Sequence, residues 1–500
     1  MRRNQTESDS GTNLSGIAMV RAAALRLVLT SIALAIVCAG TANAGSFFSI
    51  SSNAGALNDP GYLPAMIDAG AGMCRVDLCF AGTRAKPNAW DWSMFERLKS
   101  LRASNSKFEW LAVLGYGADW AQDAKFTPLA GIAGPPRGAN IMPPEAAGNL
   151  YGNFVYETVK RYNDCIHSWE SWNEPDLPGH MFFLGNGKDF VPFQRTCYLA
   201  AKHADPKCTV LFAGMSFASI EGYMYAHKLK PPSVDPVHSS FFEEYLQEVK
   251  KDPNAKANNY YFDVMNQHSY SRATDLYDYN AINKKLMHDY LGVEKPIWCT
   301  ETGFVDHGGG AWGGTAENYC DYLLQSYCWA KLANVQRNFH FQLDNSNGHG
   351  LFESVPDRPK PAFNTYKMMA HEFGNAKFVA QLHGHAGVGF LEGNSPYHPT
   401  WKTGYNLFEL QSPDRTKRFL IAFSDTGKAV TIKVPARKQS AVLIDRLGRK
   451  QQIASTDGAY TLHLAGATNL AGNPVIPDPK FKALGQPEYL VGGATQIIVE

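Results

Sequence analysis

Two glutamates stand at positions where acid–base and nucleophilic chemistry is physically reasonable. Glu174 closes the run Trp169-Glu170-Ser171-Trp172-Asn173-Glu174-Pro175-Asp176-Leu177-Pro178. There an aromatic-rich extended stretch stops at a carboxylate, and Pro175 prevents its regular continuation. Glu301 closes Lys295-Pro296-Ile297-Trp298-Cys299-Thr300-Glu301-Thr302-Gly303-Phe304 in the same manner, with Gly303 permitting a sharp turn just beyond it. One glutamate at a strand end is more often a cap or half of an ion pair. Two at matching strand ends can divide the work of a displacement. One, protonated, donates to a leaving group, and the other, ionised, attacks. Burial and the neighbouring charge raise the pKa of whichever carboxyl is the donor, while the other stays ionised.

Both carboxylates need a rigid rim. Short apolar runs at 47–51, 73–80, 108–114, 166–172, 209–213, 261–267, 296–300 and 338–343 read as strands. Amphipathic stretches at 62–69, 92–103, 150–162, 188–203, 241–249, 281–291, 317–332 and 361–373 read as the helices between them. Eight such alternations imply an α/β fold with a parallel sheet, and their length suits a closed (β/α)8 barrel with long loops on one face. The alternative is an open doubly wound sheet, which the lack of a Gly-rich strand-to-helix turn disfavours. In a barrel, Glu174 and Glu301 share the carboxyl-end rim on strands four and seven. Beyond residue 375 the texture changes to short β-rich runs at 405–410, 418–424, 430–434, 441–444, 460–464 and 495–499. Turn signals such as Asp425-Thr426-Gly427 separate them, as expected of a small antiparallel, sandwich-like β domain.

Trp172-Asn173-Glu174-Pro175, followed by Thr300-Glu301-Thr302-Gly303, resembles the catalytic motifs of the clan A retaining glycoside hydrolases. The stretches Asp91-Trp92-Ser93-Met94-Phe95, Phe154 to Tyr162, Gly350-Leu351-Phe352 and Pro359-Lys360-Pro361-Ala362-Phe363 are most similar to family 39 of that clan. The resemblance implies a (β/α)8 barrel, acid/base Glu174, nucleophile Glu301 and a covalent glycosyl intermediate. It also implies that Asn173 bonds the hydroxyl beside the reacting carbon. Arg75 resembles the clan arginine that keeps the nucleophile ionised, although it could equally pair Glu170 or Asp77. His268 and Tyr270, two apart and so on one strand face, resemble residues lining the reacting subsite, with Tyr270 able to donate to Glu301. Trp120, Trp172 and Trp312 are candidates for stacking on sugar rings, Trp312 from a Gly-rich loop after strand seven. One departure stands out. The clan usually places a Trp near the end of strand eight, where this chain has Phe339-His340-Phe341-Gln342-Leu343.

The rest of the composition sets limits. With 500 residues, 45% hydrophobic and 19% charged, the chain has room for a large domain and a small one. A formal charge of +1 offers no field for nucleic acid or an anionic membrane. Arg21 and Arg26 precede an apolar run from 27 to 38 and the ending Ala42-Asn43-Ala44, so 1–44 reads as a signal peptide of an exported protein, secreted or periplasmic. The expected organisation is therefore signal 1–44, catalytic barrel 45–375 and β domain 376–500. Eight cysteines follow the leader; disulfides are expected, with Cys197–Cys208 the first local pair to test. No Cys-x-x-Cys occurs, the histidines are scattered, and two carboxylates suffice for the chemistry, so no metal or cofactor is expected. The expected partner is an oligo- or polysaccharide. Two alternatives remain open: a transglycosylase on the same scaffold, and a non-catalytic carbohydrate-binding barrel.

Overall fold

Strands buried on both faces need a layer of helices outside and packed side chains inside, and the chain supplies both. The structure is a computed structural model that describes residues 47–125, 136–177, 182–227, 239–270, 272–306, 313–345, 348–384, 403–469 and 489–500. The expected leader and Trp312 lie outside these residues. The barrel strands are β1 (Phe48–Ser52), β2 (Met73–Asp77), β3 (Glu109–Val113), β4 (Ser168–Glu170) and β5 (Thr209–Leu211). They continue with β6 (Met265–Asn266, resumed at Ser269–Tyr270), β7 (Ile297–Gly303) and β8 (Val335–Phe341). All pair parallel, in the order β5-β4-β3-β2-β1-β8-β7-β6. Two parallel bridges, Leu211 with Val264 and Met215 with Gln267, join β5 to β6 and close the ring. Met73, Leu111, Leu211, Val264, Trp298 and Phe339 form one buried cluster, one residue from each of six strand regions, and fill the barrel interior.

The helices form where apolar spacing and caps agree. In α3 (Leu150–Tyr162) the buried Tyr151, Phe154, Val155, Val159 and Tyr162 recur at helical intervals, and Asn149 caps the first turn by accepting from the Gly152 N–H. Capping boxes open α4 (Gly187–Ala204) at Asn186/Asp189 and α7 (Ala316–Leu332) at Thr315/Asn318. The remaining barrel helices are α1 (Tyr62–Asp68), α2 (Ser93–Ser104), α5 (Phe241–Val249), α6 (Asp275–Leu291) and α8 (Pro361–Glu372). One further helix, Phe217–Ala226, follows β5 and is absent from the sequence reading. Its residues 218–224 are all buried, so it has no polar stripe to betray its period.

Beyond α8 the chain is antiparallel. A six-stranded sheet runs β9 (Lys377–His383), β10 (Tyr405–Gln411), β11 (Arg418–Ser424), β16 (Gln496–Val499), β13 (Ser440–Asp445), β14 (Lys450–Ala454), and a two-stranded sheet pairs β12 (Val430–Pro435) with β15 (Ala459–Leu464). Leu420, Ile432, Val434, Tyr460, Leu462 and Ile498 belong to the core cluster that joins the two sheets. The edge strands β9 and β14 were not expected from sequence: β14 is largely polar, and β9, although it carries Phe378, Val379, Ala380 and Leu382, buries none of them fully. Trp329 of α7 packs edge-on against Phe408, and Arg446 pairs with Asp321, so the sheets seat on the barrel's outer layer.

The disulfide expectation is corrected. All eight cysteines among the described residues are free thiols. Cys197 faces the core beside Tyr151, and burial pushes its thiol up to about 12. Cys208 is likewise buried at the start of β5. Among the described residues no helix is long and apolar enough to cross a membrane.

Candidate active site

Parallel strands present their carboxyl ends at one rim, and the two glutamates meet there with four of their expected neighbours. Arg75 is the hub. It sits in mid-strand β2, its Cα level with Ser51 of β1 and Leu111 of β3, and is 2% exposed. Its Nε and Nη2 donate to the two oxygens of Glu170, each at 2.8 Å, a bidentate geometry that fixes the guanidinium plane. Nη2 also donates to Asn173 Oδ1 at 2.8 Å, and Nη1 donates to Glu301 Oε1 at 2.7 Å. Asp77 lies 3.7 Å from Nη1. Both partners named for Arg75 on sequence grounds, the nucleophile candidate and the ion-pair set, are therefore held at once.

Glu301 is closed from the other side by Tyr270, whose hydroxyl donates to Oε2 at 2.5 Å. Burial pushes the Glu301 carboxyl up. The charges of His268 and Arg75, with the hydrogen bonds from Tyr270 and Arg75, outweigh that and bring it below the ordinary glutamate value. Glu174 has the opposite balance. Burial raises its pKa, the neighbouring Glu301 charge adds to the rise, and only His268 opposes them. The His268 Nδ1 lies 2.9 Å from Glu174 Oε1 and 3.6 Å from Glu301 Oε2. Burial alone would lower the imidazole pKa; Glu301 and Glu174 raise it on balance.

The backbone that presents Glu174 is not a strand end in the simple sense. Regular β4 stops at Glu170, and Asn173 makes only an isolated parallel bridge to Gly214. The Glu174 N–H donates to the Gly214 carbonyl at 2.8 Å, while Glu174 itself takes φ +40°, a left-handed conformation uncommon for a side-chain-bearing residue. Gly214 has a second duty. A Cβ built there would lie 2.2 Å from His268 Nε2 and 2.9 Å from Glu170 Oε1, so only glycine lets these two side chains meet behind the loop.

Several positioning residues were not read from sequence. Gln267 Nε2 donates to the carbonyls of Met215, Ser216 and His268 at 2.9–3.0 Å, and its Oε1 accepts from Asn283 of α6. It thereby ties the loop after β5 to the strand that carries His268. Asp176 accepts from Ser216 N, Ser216 Oγ and Ser219 N, capping the helix Phe217–Ala226. His349, in the loop after β8, stacks edge-on against Tyr270 at 5.2 Å. Apart from the bonds of Gln267 to His268 and Asn283, these contacts join residues 40 to 79 positions apart, and no local motif marks them.

At the expected tryptophan position of strand eight stands Phe341. It is edge-on to Tyr270 at 6.2 Å, whereas His340 turns outward to Tyr319 and Tyr366. Of the described tryptophan candidates, neither Trp172 nor Trp120 lines the hollow beside the glutamate pair. Trp172 is fully buried, packed on Phe183 and Phe193, with its N–H given to the Phe182 carbonyl. It offers no face to a ligand, because strand alternation ends at Glu170 and the irregular chain beyond it turns Trp172 into the helix layer. Trp120 donates to the Arg84 carbonyl and lies against Phe80 and the Arg84 guanidinium.

A cavity of about 340 Å³ opens beside the pair, lined by Glu174, His268, Tyr270 and His349 and by Leu177, Ser216, Phe217, Glu221, Tyr279 and Val305. A larger hollow of about 630 Å³ lies over the outer side of α4 and α5, where Arg195 pairs with Asp252. It contains no carboxylate pair like that at the rim, so size does not identify the site here. Glu174, His268 and Glu301 place ligand atoms within 4.8 Å of one another, close enough for a cation. However, both Glu301 oxygens already accept strong hydrogen bonds, and the Arg75 guanidinium stands 2.7 Å away, so the trio suits protons better than a metal.

No family model matches the sequence, and no curated protein matches it either. Solved structures do match. A family 39 glycoside hydrolase from Bacteroides cellulosilyticus WH2 superposes with a TM-score of 0.61 at 15% identity, covering 91% of this chain and 81% of that one. A GH30 endoxylanase from Clostridium papyrosolvens C71 gives 0.55 at 14%, covering 90% and 95%. A GH39 β-xylosidase from Caulobacter crescentus gives 0.54 at 13%, covering 91% and 97%. At such identities the likeness is one of fold. It takes in the barrel and the antiparallel sheets together.

Proposed function

We propose that this protein is a retaining glycoside hydrolase, with Glu301 as nucleophile and Glu174 as acid/base. The observation that carries the reading is a pair of carboxylates with oxygens within 4.8 Å, in opposite electrostatic surroundings. That spacing is on the retaining side of the range, since an inverting pair stands about 6.5–9.5 Å apart to admit a water. Glu301, ionised by Arg75 and Tyr270, attacks the anomeric carbon while Glu174 gives its proton to the departing oxygen. A water then attacks the glycosyl-enzyme, Glu174 takes its proton, and Glu301 leaves as carboxylate. Asn173 accepts from Arg75, which turns its NH2 donor away from the guanidinium and toward a substrate hydroxyl.

Charge narrows the sugar. Among the described residues, Glu174 and Glu221 line the cavity and no Lys or Arg does. The one arginine nearby is consumed by Glu170 and Glu301. Neutral glycosides are therefore favoured over uronides. The apparent leader supports action outside the cytoplasm, on an oligo- or polysaccharide.

A mechanism-based 2-fluoro-glycoside panel tests the reading. Mass mapping should find the label on Glu301; turnover of the matching aryl glycoside with no label on Glu301, or with an inverted product by NMR, refutes it.

A further inference from the structure

Behind the catalytic pair lies a short polar relay. His268 Nε2 is 3.0 Å from Thr300 Oγ1, and Thr300 Oγ1 is 2.8 Å from Asn266 Oδ1. Thr300, Asn266 and His268 are all buried, none more than 1% exposed. The donors can be assigned by elimination. The Thr300 backbone N–H also points at Asn266 Oδ1, at 3.3 Å. An N–H cannot donate to an NH2 group, so the amide presents its oxygen to Thr300. That oxygen only accepts, so the Thr300 hydroxyl spends its one proton on Asn266. Its lone pairs are then what faces His268, and the proton between them belongs to Nε2.

We propose that Asn266 and Thr300 are positioning residues that keep Nε2 of His268 protonated, so that Nδ1 is the nitrogen that shares a proton with Glu174. This rests on the reading of Glu174 as acid/base. The 2.9 Å contact from Nδ1 to Glu174 Oε1 then contains one proton, on the carboxyl when the imidazole is neutral. With the opposite tautomer, Nδ1–H would donate to Glu174 and favour the carboxylate, the wrong form for the first step. The two carboxylates are thereby separated in role by a residue between them: the imidazole shares a proton with one and lies 3.6 Å from the other.

Other groups also face His268. They are Glu301 from β7, Arg75 and Asp77 from β2, Glu170 and Glu174 from the β4 segment, Tyr270 from β6 itself and His349 from the loop after β8. Any substitution in the relay leaves all of these in place, so a change in pH behaviour can be assigned to the tautomer.

Two measurements test this. In the intact protein with 15N-labelled histidine, the two-bond correlations of His268, assigned by comparison with His268→Gln, should show Nε2 protonated throughout and Nδ1 as the nitrogen that loses its proton as pH rises. A protonated Nδ1 with a bare Nε2 overturns the proposal, whatever the enzyme's activity. In kinetics, Thr300→Val removes the acceptor for Nε2–H and frees the tautomer. The basic limb of kcat/KM should fall by about one pH unit, and Thr300→Ser should restore it. A Thr300→Val enzyme that loses rate with an unshifted basic limb, or a Thr300→Ser enzyme that fails to restore the limb, also overturns it. The NMR result does not depend on turnover, so failure of this relay is distinguishable from failure of the glycosidase reading.

Discussion

Two buried arginines anchor this molecule, one in each kind of sheet, and their surroundings differ in one respect. In the antiparallel part, Arg418 of β11 donates to Glu409 and Glu500, and Arg437 comes in from β12's end to share Glu409. The Arg437 and Lys438 backbone N–H groups close the remaining side of Glu500. Two cations face two carboxylates. At the barrel rim, Arg75 and the titratable His268 face Asp77, Glu170, Glu174 and Glu301. The first set is balanced by fixed charge and needs no proton. The second has more carboxylates than fixed cations, so protons make up the difference: burial, with the charges of Glu301 and Glu170 adding to it, pushes Asp77 up to about 6 and Glu174 rises as well. A charge-balanced cluster holds a fold together; a proton-balanced one can also exchange protons with a substrate.

The sharpest break of that contrast is at Glu301. Glu301→Gln keeps the size and removes the nucleophile, and kcat should fall at least about ten-thousandfold with the circular dichroism unchanged. Glu174→Gln should cost about a hundred- to ten-thousandfold with a natural glycoside, and far less with an activated aryl glycoside whose leaving group needs no proton. Equal losses on both substrates would remove Glu174 from the acid role. Parallel substitutions of the arginines come next. Arg75→Met and Arg418→Met each strand buried carboxylates and should each lose about 3–5 kcal/mol of stability by denaturant unfolding. Only Arg75→Met should also collapse kcat/KM at temperatures where both variants are folded. If Arg418→Met lowers turnover comparably, the two clusters are not the separate devices described above.

How far these clusters could be seen in the sequence follows from their geometry. The rim pair was legible because each glutamate ends an apolar run, and a parallel barrel turns strand order into a shared rim. Arg75, Asn173, His268 and Tyr270 could be placed by strand parity and by resemblance to known motifs. Trp172 could not: parity fails where β4 ends at Glu170, two residues before it. Gly214, Gln267, Asp176 and His349 were missed because what defines each is a contact across the barrel, to His268, Ser216 or Tyr270, and a glycine that makes room looks like any loop glycine. The edge strands β9 and β14 escaped for the reverse reason. The polar residues of β14 resemble a loop, and the apolar run of β9, Phe378-Val379-Ala380, is too short to stand out.

The smallest effect tests the same contrast without removing a charge. Tyr270→Phe deletes a single hydroxyl, the donor to Glu301 Oε2, and leaves the ring against His349 and Phe341. That hydrogen bond favours the ionised form, so its loss raises the Glu301 pKa. The acid limb of kcat/KM reports the ionisation of Glu301, and activity grows as pH rises through it. The limb should therefore move to higher pH, by about one unit, equal to ~1.4 kcal/mol of lost preference for the carboxylate. The basic limb, set by deprotonation of Glu174 above the ordinary glutamate value, should move little, since His268 and not Tyr270 is its hydrogen-bond partner. A variant in which the plateau drops and neither limb moves would mean that the hydroxyl serves the substrate rather than the nucleophile. In that case His268, at 3.6 Å, and Arg75, at 2.7 Å, keep Glu301 ionised.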